Sequence, residues 1–202
     1  LDIHAKLRLW DRLVEIVNQL SKRRGQFKQA IVEIVQLCMT YLDSIDDYNI
    51  RLKFIKNLCQ ISENKIYVEN ERARLLMILS KGAESEDKIG EALSFICDLG
   101  VESYGTMSND EKNEIMLEQV RLCINNNDII RAQIISKRIH SSTIDEKTNP
   151  NLKHKYYHTI MRLKFLEKKY VEFTQLGLAC TSLPVVNSNP EILYPVILIV
   201  SI

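Results

Sequence analysis

Glycine and proline are scarce in this chain, six and four in 202 residues. Tight turns and bulges lean on these two residues, so a fold of many short strands is disfavoured and long helices are favoured. Neither sign of charge prevails. Lysine and arginine total 27 against 26 acidic residues, a net charge of +1, which gives no overall pull toward nucleic acid or an anionic membrane. No apolar run is long enough to span a bilayer; the longest centres on residues 196–200. No secretory leader is expected, because Asp2, His4 and Lys6 interrupt the apolar N-terminus. The chain opens on Leu1 and stops inside an apolar run at residues 192–202, so both ends are expected to be cuts in a longer protein.

What is present is ordinary for a folded domain, 46% hydrophobic and 26% charged residues. The five cysteines, Cys38, Cys59, Cys97, Cys123 and Cys180, are odd in number and far apart. No pair has metal-ligand or redox spacing, and each lies among apolar neighbours. They are expected to be small core residues in a reducing compartment.

Helix follows helix along the chain. Trp10, Leu13, Val14, Ile16, Val17 and Leu20 mark the first, closed by Lys22-Arg23-Arg24-Gly25. Phe27 to Leu42 carries the second stripe, and Asp46-Asp47 begins the third, with Phe54 and Leu58 inward. The fourth holds residues 65–75 and is expected to stop at Leu79, before Lys81-Gly82. Ile89 opens the fifth, which is expected to run to Gly100. Ser108 and Glu111 match a capping box ahead of the sixth, with Met116, Val120 and Cys123 on one face. Asn125-Asn126-Asn127 breaks it, and Ile129, Ala132, Ile134, Ile135 and Ile139 mark the seventh. Residues 141–151 form a polar loop. Tyr156, Ile160, Leu163 and Leu166 define the eighth helix, and Tyr170, Phe173, Leu176 and Leu178 the ninth. Pro184 and Pro190 bracket a loop before a tenth near Glu191. No strand survives this reading.

A period runs through these elements. Trp10, Tyr48, Ile89, Ile129 and Tyr170 each open the second helix of a pair, at intervals of 38, 41, 40 and 41 residues. Three residues on stand Leu13, Arg51, Ala92, Ala132 and Phe173, so the second unit breaks the pattern. Two helices per forty residues imply an all-α α-solenoid, because a lone hairpin cannot bury its apolar face and must stack. The units resemble tetratricopeptide-like hairpins, and the expected architecture is a right-handed superhelical arm of about ten helices over residues 1–202.

Residues that could carry chemistry do not assemble into a known arrangement. His154 and His158 are four apart on the eighth helix and could share a metal ion. The run His-Lys-Tyr-Tyr-His lacks the glutamate of a zincin, no third ligand is near, and His4 and His140 have no evident partner. No cysteine or serine has an adjacent base, and the isolated glycines form no phosphate loop. Asp46-Asp47 and the acidic residues 84–87 are read as helix starts, where the dipole favours negative charge. Lys22-Arg23-Arg24 and Lys164 with Lys168-Lys169 are read as helix ends, where it favours cations. The expectation is a non-enzyme with no catalytic, cofactor-binding or metal site and no small-molecule substrate.

The stretch Lys65-Ile66-Tyr67-Val68-Glu69-Asn70-Glu71-Arg72-Ala73-Arg74-Leu75 alternates charges with apolar residues at 66, 68, 73 and 75. Glu71 and Arg74 share a helical face. By itself this is a solvated face beside a buried one. Together with Val101-Glu102-Ser103-Tyr104-Gly105-Thr106-Met107, it resembles the family of non-ATPase subunit 12 of the 26S proteasome regulatory-particle lid. Leu117-Glu118-Gln119-Val120-Arg121-Leu122-Cys123, residues 130–139 and Leu152-Lys153-His154-Lys155-Tyr156-Tyr157 are similar to that family too. Asn70 departs from the usual apolar residue, and residues 141–151 drift. The resemblance covers Trp10 to about Leu183. It implies a scaffold: a helical-repeat arm, followed in the family by a winged-helix (PCI) module that is expected to lie outside these residues. It further implies contacts with other lid and base subunits, support of ATP-dependent degradation of ubiquitylated proteins, and a cytoplasmic and nuclear location. No family residue is catalytic.

Related arms occur in the COP9 signalosome and the translation-initiation scaffold, and a free-standing peptide-binding adaptor is a further alternative. The adaptor would want a row of Asn, Lys and Arg along a concave face, and along the sequence these are scattered. If the apolar tail at residues 192–202 lies open, the chain self-associates through it. Light scattering is then expected to give a larger mass with that segment than without it; equal monomeric masses overturn the expectation.

Overall fold

Three hairpin corners of one geometry organise the described part of the chain. A computed structural model describes residues 8–22, 27–139, 144 and 149–181. In each corner one residue takes a left-handed backbone: Asp87 at φ 60°, Asn127 at 60° and Lys168 at 60°. Its N–H bonds back three residues, to Glu84, Ile124 and Phe165 respectively, at 2.9, 3.1 and 3.0 Å. The next N–H bonds back five, from Lys88 to Ala83, Asp128 to Cys123 and Lys169 to Lys164, at 3.0, 2.9 and 3.0 Å. This is the Schellman termination, which satisfies the last carbonyls of the outgoing helix. The next helix begins two residues past the left-handed one, at Ile89, Ile129 and Tyr170.

The helices in order are α1 (Trp10–Lys22), α2 (Lys28–Thr40), α3 (Tyr48–Ser62), α4 (Glu69–Ser85), α5 (Ile89–Ile96), α6 (Asn109–Asn125), α7 (Ile129–Ser136), α8 (Pro150–Leu166) and α9 (Tyr170–Thr181). Single 3₁₀ turns lie at Leu42–Ser44, Ile66–Val68 and Val101–Ser103. Among the described residues there is no strand, so the all-α expectation holds. All five periodic positions are the first residue of a helix. Three residues on, Leu13, Ala92, Ala132 and Phe173 are buried. Arg51, which broke the pattern, is half-buried and ion-paired with Asp43 at 3.3 Å.

The caps follow the sequence. The Asp47 carboxylate accepts the N–H groups of Asn49 and Ile50, starting α3. Ser108 Oγ accepts the N–H of Glu111 at 3.3 Å, starting α6 as the capping box requires. Asp128 and Asn149 cap α7 and α8 in the same manner.

The chain divides into two compact units between Leu99 and Gly100. In the first, α1 packs on α3, α3 on α4 and α4 on α5, while α2 packs on the turn Ile66–Val68. Their shared core includes Trp10, Leu13, Val17, Val35, Phe54, Leu58 and Leu75, with Trp10 edge-on to Phe54 at 6.4 Å. A buried hydrogen bond of 2.8 Å from Ser80 Oγ to the Ala92 carbonyl ties α4 to α5. In the second unit α6 packs on α7 and α8, and α8 on α9.

Several expectations need correction. Residues 66–68 are a 3₁₀ turn, not the first turn of a helix, and Ile66 is 80% exposed. The helix after them passes Lys81-Gly82 and ends at Ser85. Gly82 sits inside it, where an added Cβ would touch the Tyr48 hydroxyl at 3.4 Å. The glycine there marks a close neighbour and not a terminus. Consequently residues 84–87 lie at a helix C-terminus, not a helix start; Glu86 is held there by the Tyr48 hydroxyl and Lys88 Nζ, both at 2.7 Å. Helix α5 ends at Ile96, short of Gly100. Helix α6 is buried nearly all round rather than on one face, because α7 and α8 both cover it. The loop ending at Asn151 stops earlier, since Pro150 occupies the first helical position of α8, where its missing N–H costs nothing. Ile134, Leu166 and Leu178 lie exposed rather than in the core. Residues 23–25, His4, His140, the loop at Pro184 and Pro190, the helix from Glu191 and residues 192–202 lie outside the described residues.

A left-handed conformation costs a non-glycine residue roughly 1 kcal/mol, least for Asn and Asp. Lys168 is exposed and bears that cost in full. Lys168→Gly is expected to stabilise the protein by about 0.5–1 kcal/mol, and Asn127→Ala to destabilise it by about 1 kcal/mol. Opposite shifts in thermal midpoint, each about 2–4 °C, are the check; shifts of the same sign would refute the corner assignment.

Candidate interaction surfaces

Polar residues in the sequence's recognisable runs contact other elements of the fold, some buried and some at the surface. Glu71, 6% exposed on α4, accepts a hydrogen bond of 2.7 Å from Gln36 Nε2 on α2. Arg74, three residues on along α4, is exposed. Glu102, in the 3₁₀ turn after Gly100, accepts from Arg138 Nη1 at 3.1 Å, so the run at 101–107 is tied to the run at 130–139. Glu118 on α6 is buried. It accepts from Arg121 Nε and Nη2 at 3.1 and 2.6 Å and pairs with Lys155 Nζ of α8 at 3.3 Å. Lys155 also reaches Glu114 at 3.9 Å, and Arg162 Nη2 donates to Asn125 Oδ1 at 3.2 Å. These contacts pin α8 onto α6.

The electrostatics of Glu118 run in two directions. Burial is the largest influence and raises its pKa. The Arg121 hydrogen bond, with the charges of Lys155 and Arg121, outweighs it and holds the carboxyl below its ordinary value of 4.5. Glu118 is therefore charged in the folded protein at neutral pH, and its two cations have a reason to stay.

The residues weighed for chemistry fall elsewhere. The His154 and His158 rings stack at 6.2 Å between centroids. Burial, then the His154 charge, lowers the His158 pKa, which keeps that ring neutral. Among the described residues, no three His, Cys, Asp or Glu side chains gather as a metal site. Cys38, Cys123 and Cys180 are buried, and Cys59 and Cys97 half-buried. Burial pushes the Cys38 thiol up to about 12 and the Cys59 thiol up to about 11, so neither forms a thiolate at neutral pH. Lys164 and Lys169 are taken up by Glu167 and Glu172, with Lys164 at 2.7 Å from Glu172 and Lys169 at 2.8 Å from Glu167.

What is left for a partner is surface. Ile130 and Ile134, one turn apart on α7, are 73% and 51% exposed. Phe165, Leu166, Tyr170 and Val171 are exposed around the α8–α9 corner, where Phe165 contacts the Tyr170 ring at 6.1 Å. Phe27 and Ile66 stand out from the first unit. A groove of about 460 Å³ opens between α3 and α4, lined by residues from Asn49 to Glu63 on one side and Arg72, Leu76 and Leu79 on the other. Sequence reasoning missed this groove. The polar positions 49, 53, 56, 60 and 63 have helical spacing and could have drawn attention to one face of α3.

The sequence pattern of the family described as PSMD12/CSN4, N-terminal, matches residues 1–189. The chain belongs to this family. Among curated proteins, the 26S proteasome non-ATPase regulatory subunit 12 of Dictyostelium discoideum is 41% identical over 89% of this chain and 41% of its own length. The subunit 12 homolog B of Arabidopsis thaliana is 36% identical over 93% and 48%. The 26S proteasome regulatory subunit RPN5 of Saccharomyces cerevisiae is 36% identical over 86% and 40%. The chain thus spans less than half the length of these relatives. The solved structure of BtubC (BKLC) from P. vanneervenii superposes with a TM-score of 0.50 at 17% identity, over 89% of this chain and 73% of that one, a likeness of fold.

For this PSMD12/CSN4-family chain the buried Glu118 cluster makes a measurable statement. Glu118→Gln leaves Arg121 and Lys155 without their anion and is expected to destabilise by about 2 kcal/mol at pH 7. Because the folded pKa lies below the ordinary one, the stabilisation is present above pH 4.5 and is lost as pH falls through the lowered value. Urea unfolding at pH 7 and at progressively lower pH should show the gap between wild type and variant closing. A gap independent of pH would refute the ionic role.

Proposed function

We propose that this chain is the N-terminal arm of a non-catalytic scaffold subunit of the 26S proteasome regulatory-particle lid. The observation that carries the proposal is the 36–41% identity to proteins named as proteasome regulatory subunits, maintained over most of the chain. The structure supplies physical support. The runs resembling that family hold helices together through Glu71, Glu102, Glu118 and Lys155, a use that suits a rigid arm rather than a catalyst. In this reading the hairpins continue as a right-handed α-solenoid, and a winged-helix PCI module follows in the full-length protein. The arm offers an extended face to other lid and base subunits, in the cytoplasm and the nucleus. It supports ATP-dependent degradation of ubiquitylated proteins through contacts alone.

A second reading keeps the fold and changes the complex. The family's description joins PSMD12 with CSN4, so membership in the signalosome is the natural alternative. The relatives named above are proteasomal and favour the first reading.

Affinity purification of the tagged full-length protein from its own cells, with quantitative mass spectrometry, decides between them. Lid subunits and proteasomal ATPases in comparable amounts are expected; signalosome or initiation-factor subunits in their place would move the protein to another complex, and recovery of the protein alone would reject both. Ile130→Asp with Ile134→Asp, placed on an exposed face, is expected to lower lid recovery several-fold without unfolding the protein.

A further inference from the structure

The last hairpin of the second unit carries an open groove, and the repeat shows how such a groove is filled. Helix α8 packs on both α6 and α7 of the hairpin before it. Helices α6 and α8 are each 17 residues long, and α8 opens 41 positions after α6. One such step before Tyr156, Tyr157 and Leu176 stand Ile115, Met116 and Ile135, and all three are buried. Tyr156, Tyr157 and Leu176 are only half-buried. With Ile160 and Ala179 they line a groove of about 410 Å³ between α8 and α9, to which Ile144 also contributes. The charged groups of its lining are one cation and one carboxylate, Lys164 and Glu172, and they pair with each other at 2.7 Å. The groove is apolar and its charges are balanced.

We propose that residues 191–202 of this same chain fill that groove, seated on α8 and α9 as α8 is seated on α6 and α7. Register selects the segment. The first helices of successive pairs open at Lys28, Glu69, Asn109 and Pro150, at intervals of 41, 40 and 41, which puts the next opening at about Glu191. Pro190 and Pro195 flank that position, as Pro150 opens α8. Chemistry selects it too. Residues 192–202 carry no charge, and Ile192, Leu193, Val196, Ile197 and Val200 fall on one side of a helix, which matches an apolar groove with no surplus charge. The tether favours it over a second copy or another protein. Ala179 in the last turn of α9 already lines the groove, and only residues 182–190 intervene, so the segment is present beside its seat at high effective concentration. A segment seated there is covered, and the self-association expected of an open tail then does not occur.

The test places the photo-cross-linking residue p-benzoylphenylalanine at Gln175 of the full-length protein, an exposed position in the groove lining. Illumination and peptide mass spectrometry are expected to join position 175 to residues 191–202 of the same molecule. An equal mixture of ordinary and isotope-labelled protein separates these joins from those between copies, which give mixed pairs. Joins between copies, joins to residues 140–149 in their place, or no join to residues 191–202 would overturn the proposal. Val196→Asp with Ile197→Asp is expected to weaken the cross-link at least about fivefold and to speed amide hydrogen exchange at residues 174–179 at least about tenfold, with α6 unchanged. Ile197→Ser should give a smaller change in the same direction and serves if the double variant unfolds. Exchange at residues 174–179 as slow in both variants as in the wild type would also overturn the proposal. None of these outcomes depends on membership of the proteasome lid, so the groove and the function proposed above fail separately.

Discussion

The left-handed residue at the hairpin corner is the constraint on which the described fold rests. Once Asp87, Asn127 and Lys168 adopt φ near 60°, two backbone hydrogen bonds close the outgoing helix, and the incoming one starts two residues later. That fixes which residue of the incoming helix faces its partner. Ala92, Ala132 and Phe173 sit at one depth after the corner, and all are buried. From Ile89 onward the forty-residue rhythm is a rhythm of corners, whereas Tyr48 follows the extended Asp47 cap. Side chains vary from one repeat to the next because the corner geometry is set by the backbone, and asparagine, aspartate and lysine all serve.

Polar contacts between helices follow from this arrangement. A hairpin with a fixed corner still has freedom in how it leans on its neighbour. Glu118 between Arg121 and Lys155, Glu102 with Arg138, and Glu71 with Gln36 supply directional contacts where apolar packing alone would allow sliding. The residues most recognisable as family-like are thus used internally. Among the described residues the exposed apolar side chains include Ile130, Ile134 and the cluster at the α8–α9 corner, and a groove with charges of both signs opens in the first unit.

Membership of the PSMD12/CSN4 family agrees with this division of labour. The likeness to BtubC at 17% identity is a likeness of fold alone. A fold by itself names no partner.

Much of the helix order was legible in the sequence because helix starts are local. Asp47, Ser108 and Asp128 accept N–H groups within three residues, and Trp10, Tyr48, Ile89, Ile129 and Tyr170 open helices where the period put them. Helix ends were less legible. Gly82 looks like a terminus but is a contact with Tyr48, thirty-four positions earlier, and Lys168 takes the left-handed corner that composition would assign to glycine. The family, too, could be read from ordered runs of residues. Only the tertiary structure decided which charges are buried, which isoleucines stand in solvent, and that Lys56 and Arg72 share one groove. Those facts depend on how neighbouring helices cover one another, and no local pattern encodes coverage by residues thirty or forty positions away.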